Sequence, residues 1–161
     1  MPGYEVPFAA GTMVVSAAMA FVNPAASPSA SLRIIRCLAG QSSSTTSAQL
    51  AVKMFSKITV FPTLTSTTPE SLHRTGRASV ITGGTAGAAG TSGTLASAAG
   101  AGTETLIHGD VFNNLNGWLW VPQLGDSILF DAGSTSGFGF SITSTPSALT
   151  GWSGGLVFTE E

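Results

Sequence analysis

The chain has 161 residues, only 9% of them charged, a formal net charge of −2 and a single cysteine. That length supports one domain with a core of its own, and the 39 Leu, Ile, Val and Phe residues exceed what disordered chains carry. One cysteine excludes an intrachain disulfide and a cysteine-based zinc site, and six cations scattered among apolar residues make no nucleic-acid stripe.

Exposed polarity must come mainly from the 41 Ser and Thr residues. Soluble monomers usually carry a denser shell of charge, so a surface this neutral suits a protein covered by neighbours.

Residues 1–11 contain Pro2, Gly3 and Pro7, which resist regular structure and predict an N-terminal arm ahead of one domain, 12–161. The apolar run Phe8 to Val22 is no secretory signal, because Glu5 precedes it and no Lys or Arg does. At 15 residues it is also too short to span a bilayer. No targeting segment or membrane anchor is read, and the single cysteine predicts synthesis in a reducing compartment, the cytoplasm.

From Thr12, the apolar positions Met13, Val15, Ala17, Met19 and Phe21 alternate, and the Val14-Val15 pair favours a strand. Asn23-Pro24 and Ser27-Pro28 end it. Leu32 to Leu38 is a second strand, with Cys37 as a small buried hydrophobe. Residues 40–47 are a hydroxyl-rich loop. Leu50 to Val60 is the clearest strand. Leu50, Val52, Met54, Ile58 and Val60 face one way, Lys53, Lys57 and Thr59 the other, and Phe55 breaks the polar face. Residues 62–78 form a polar connection in which Ser71 to Arg74 can make one helical turn.

Gly83 to Gly102 holds seven glycines, seven alanines and no charge or aromatic. A stretch so poor in packing groups predicts a long loop that is either a disordered, flexible linker or ordered by lying on something else. With the 1–11 arm, it is expected to contact neighbouring subunits. Five short runs follow: Thr103 to Ile107, Trp118 to Val121, Ser127 to Phe130, Gly137 to Ile142 and Gly155 to Thr159. Asn116-Gly117, Gly125-Asp126, Gly133-Ser134, Pro146 and Gly151 punctuate them. Short strands at this spacing, without a convincing helix, predict an all-β, jelly-roll-like β-sandwich.

Phe138 and Phe140 alternate with Gly137 and Gly139, leaving bare backbone that another chain could approach. Trp118 and Trp120 share one face, either as core or as a stacking platform for sugars or bases. The basic residues all lie between Arg33 and Arg77, whereas six of the eight acids follow position 103. Either folding interleaves them, or they form complementary patches that meet across a subunit boundary.

Chemistry is sparse. His73 and His108 stand alone, without metal-ligand spacing. Cys37, His73 and Asp110 can be written as a triad, but no local motif supports it. Asp126 and Asp131 flank one strand as turn residues and lack the oxygen-rich spacing of a calcium loop. The glycine run lacks the Lys-Ser/Thr of a phosphate loop. The reading is therefore a non-enzyme, with no catalytic, cofactor or metal site assigned.

Five segments carry a resemblance: GQSSSTTSAQ (40–49), STTPESLH (66–73), ITGGTAGAAGTSG (81–93), FNNLNGWLWVP (112–122) and GWSGGLVFTEE (151–161). Together they resemble small virion proteins of tailed bacteriophages that decorate or cement the capsid. The resemblance implies a jelly-roll-like module on the virion surface. Such modules are commonly homotrimers seated where subunits of the major capsid protein meet, and no binding residue carries over. The alternative is a phage tail or fibre receptor- or glycan-binding module, using Trp118, Trp120 or Trp152 as the platform.

Overall fold

The computed structural model describes residues 2–25, 30–72, 77–123 and 125–161. Its strands are β1 (Gly3–Gly11), β2 (Ala18–Val22), β3 (Leu32–Gln41), β4 (Gln49–Ile58), β5 (Thr63–Ser66), β6 (Glu70–Ser71) and β7 (Thr82–Gly83). They continue with β8 (Thr91–Ala98), β9 (Thr103–Asn113), β10 (Trp118–Trp120), β11 (Ile128–Phe130), β12 (Ser136–Ile142) and β13 (Trp152–Glu160). No described residue is helical.

Two sheets form. The first runs β10-β3-β13-β1-β6, with β11 beside β10 on the same flank of β3. The second runs β5-β8-β2-β12-β4-β9, with β7 added parallel to β8. The other pairings are antiparallel, and the two sheets make a β-sandwich.

Period-two alternation explains the core. Tyr4, Val6, Phe8, Ile34, Leu156 and Phe158 of the first sheet meet Val22, Leu50, Val52, Met54, Phe138 and Phe140 of the second in one buried cluster. Ring contacts cross between the sheets at Trp118–Phe140, 5.4 Å, and Phe130–Phe138, 5.6 Å. Ile35 is an extra residue in β3 against β13, a bulge that lets Cys37 and Ala39 resume the inward face.

Several expectations are corrected. Residues 3–11 are not an arm but strand β1, paired with β13 from Gly3↔Thr159 to Phe8↔Gly154. The alternating Tyr4, Val6 and Phe8 insert into the core and outweigh the prolines. Pro7 lies past the end of β6, where β1 has a neighbour on one side only, a position that tolerates proline.

Residues 83–102 are not a free loop either. Thr91–Ala98 forms β8, inserted between β2 and β5, with Ser92, Thr94 and Ala96 buried. Its small residues are what make the insertion possible. A Cβ on Gly93 would stand 2.6 Å from both Leu64 Cβ and the Thr65 carbonyl oxygen. The stretch therefore lies on its own sheet.

The strand expected from Thr12 begins only at Ala18, after a turn with Ser16 at φ 65°. In β4 the inward parity holds through Met54, but Ile58 and Val60 run past the end of the core and are exposed. Phe55 and Lys57 point away from the core and are nevertheless buried. Phe21, Phe55, Leu64 and Ala96 make a second cluster on the outer face of the second sheet, covered by Phe61. Ser71 lies in β6, not in a helical turn. His73, Arg74 and the Ser27-Pro28 pair lie outside the described residues.

Candidate functional site

The bare backbone of β12 has a filler within the chain. The ring of Phe21 lies across it, so a Cβ on Gly137 would be 2.3 Å from Phe21 Cζ and one on Gly139 would be 2.8 Å from Cδ2. This contact replaces the expected approach of another chain. The tryptophans are mainly core: Trp152 is sealed, Trp118 nearly so, and Trp120 packs half-buried against the same cluster.

The charges interleave within one chain. Arg33 pairs with Glu161, and Lys53 and Lys57 both pair with Glu104, the Lys57 contact at 2.9 Å. Burial opposes the charged form of Glu104, but hydrogen bonds and charge from Lys53 and Lys57 outweigh it and hold the carboxyl below its ordinary range. Three of the six cations are thereby paired internally with two carboxylates, and Arg36 stays exposed.

Cys37 faces the core from β3, and burial pushes its thiol far above the ordinary range. Such a thiol is a poor nucleophile. Asp110 already accepts hydrogen bonds from Trp118 Nε1 at 3.2 Å and from the Val111 amide at 2.7 Å. His108 is exposed on β9, and His73, the other imidazole of the written triad, lies outside the described residues. Asp126 and Asp131 occupy exposed turns on either side of β11. Among the described residues no group of three or more His, Cys, Asp or Glu side chains could hold a metal ion.

What remains is a surface. β9 ends the second sheet, paired only with β4, while β10 and β11 end the first. The Trp118–Asp110 bond ties the two edges into one side of the sandwich. Large apolar side chains are exposed along these edge strands, on both outer faces of the sandwich: Leu106 is 65% exposed and Val111 61% on the second sheet, Leu119 63% on the first, with Val121 at 56% and Ile107 and Leu129 also open. A groove of about 500 Å³ lies on the outer face of the first sheet, lined by Arg36, Leu38, Asn116, Leu119 and Gly154. Exposed hydrophobics gathered along edge strands in this way mark interaction sites.

The sequence alone ends this strand at Ile107, whereas β9 continues to Asn113. The recoverable signal was the uninterrupted Leu106 to Val111 span, which contains neither Pro nor Lys. The chain matches no protein-family model, no curated protein and no solved structure.

Proposed function

We propose that the protein is a structural component of a virion: a decoration protein that sits on the capsid shell and acts by burying contact area, without making or breaking bonds. The observation that carries this reading is the set of large apolar residues left exposed on the edge strands, Leu106 and Val111 on β9 and Leu119 on β10. Edges of this composition fit burial against the major capsid protein and neighbouring copies.

The strand order supports a jelly-roll winding. Strands β1, β2, β3 and β4 alternate between the sheets, as do β9, the β10/β11 pair, β12 and β13. Their orders β1-β13-β3-β10/β11 and β2-β12-β4-β9 are those of eight strands wound as two Greek keys, with β5 to β8 as an insertion. Viral capsid domains are among the known uses of that architecture. The proposed site of action is the outer surface of the virion.

The test is co-expression with the major capsid protein encoded in the same genome, followed by electron microscopy of the shells. Added density on the outer surface, lost in a Leu106→Asp/Leu119→Asp variant, is the expected result. Shells that never acquire the protein, together with specific binding on a glycan array, would replace this reading with the tail or fibre receptor module.

A further inference from the structure

β9 is an eleven-residue edge, whereas the other sheet ends are short: β5 has four residues, β6 two, and β10 and β11 three each. Proteins usually blunt long edges with Lys, Pro or bulges, because an open row of backbone groups templates pairing with another strand. β9 has no Lys and no Pro. Its one bulge is Ile107, an extra residue opposite Met54 and Phe55. Glu104, on the far side of that bulge, is turned to Lys53 and Lys57. From His108 to Asn113 the strand is in regular register with β4, and no described strand pairs with its other side. There the Val111 amide is held by Asp110 Oδ1 and would have to exchange that bond for one to an incoming strand.

We infer that β9 pairs with β9 of a second copy, antiparallel about a two-fold axis at Gly109, so that the second sheet continues across two subunits. Side-chain parity and pairing chemistry choose this register. His108 and Asp110 stand opposite Met54 and Val52 on the core-facing side, whereas Gly109 and Val111 stand opposite Lys53 and Ala51 on the other. Centring the axis between residues would set inward side chains against outward ones. Centring it on His108 or Asp110 would oppose like groups. Centred on Gly109, each His108 faces Asp110 of the other copy and each Ile107 faces Val111, twice over. Imidazole–carboxylate hydrogen bonds and apolar pairs of this kind are what stabilise neighbouring strands. Gly109 also leaves the axis open, since a Cβ there would meet nothing within 4 Å.

This contact goes beyond the virion reading and needs no capsid, so its failure would leave that reading standing. Closed by β9 alone, the assembly is a dimer. Were copies also joined about a three-fold axis, as the family resemblance implies, the particle would still hold an even number.

The test combines light scattering with cysteine cross-linking. Opposed Cα atoms across an antiparallel pair are about 4.5–5.5 Å apart, within disulfide reach. Gly109→Cys is therefore expected to form a covalent dimer under mild oxidation, at least about tenfold faster than the exposed control Val80→Cys. The native Cys37 is buried and stays silent. Wild-type protein should give an even copy number, and Val111→Lys should weaken association at least about tenfold. A wild-type mass of one or three copies, or equal cross-linking rates for the two cysteine variants, would overturn the proposal.

Discussion

Lys57 donates to Glu104 at 2.9 Å from a position almost sealed from solvent, joining the interior strand β4 to the edge strand β9. Glu104 also accepts from Lys53, whose ammonium sits 5.2 Å from the centroid of the Phe55 ring. One carboxylate thus serves two cations, and one of the two has little access to water. Removing it strands a buried charge, which is costlier than the pair itself is stabilising. Glu104→Gln is expected to lower unfolding stability by about 2 kcal/mol in urea titration. Lys57→Met removes the buried charge and leaves Glu104 with Lys53, so it should cost less. A larger loss in Lys57→Met would mean that the pair itself supplies the stability.

The same contacts set an acid dependence. Glu104 and Glu161 both have carboxyls held below the ordinary range, Glu161 chiefly by its hydrogen bond from Arg33. A group with a depressed native pKa contributes stability that is fully present above its unfolded value and is lost as pH falls through the native one. The urea midpoint is therefore expected to hold steady down to about pH 5 and to decline below about pH 4.3, the ordinary glutamate value. Glu104→Gln should flatten part of that decline. An unchanged acid profile in this variant would remove Glu104 from the account.

Legibility followed local side-chain chemistry. β12 alternates Phe138, Phe140 and Ile142 with small residues, β4 keeps its apolar alternation as far as Met54, and β3 and β13 are dense apolar runs; each is legible in the sequence within a few residues of its observed span. β8 is not, because Ser92, Gly93, Thr94 and Ala96 have no strand signature. They form a strand because β2 and β5 leave a gap that only small residues fit. β1 was misread because Pro2, Gly3 and Pro7 weighed more than the alternation of Tyr4, Val6 and Phe8. The burial of Phe55 depends on where Phe61 and Leu64 fold back, which no periodicity encodes. The exposed β9 edge was half legible: its apolar residues were visible, but its freedom from a second neighbour is a property of the topology.

Phe21 and the glycines of β12 should behave as a coupled unit. The ring is sealed and has aromatic neighbours in Phe55, centroid to centroid 6.5 Å, and Phe61, 6.0 Å. With those neighbours in place it cannot swing clear of a new methyl at Gly137. Gly137→Ala is expected to cost about 2–3 kcal/mol through overpacking. Adding Phe21→Leu makes room for the methyl, so the double variant should be more stable than the sum of the single losses by roughly 1 kcal/mol. Strict additivity would show that the glycine is needed for its backbone alone.

Cys37 offers a direct check on how far its thiol is open to reagents. It lies fully buried on β3, opposite Leu156 of β13 and Trp120 of β10, and its pKa is raised by burial. Alkylation requires the thiolate and a path to the reagent, and both become available only when the first sheet opens. Labelling by iodoacetamide at pH 8 should be at least about a hundredfold slower in the native protein than in the urea-unfolded chain. Because opening sets that rate, Glu104→Gln should speed native labelling roughly in proportion to its lost stability, if the sandwich opens as one unit. Labelling as fast in the native protein as in the unfolded chain would bring the thiol within reach of substrates and reopen a nucleophilic role for Cys37.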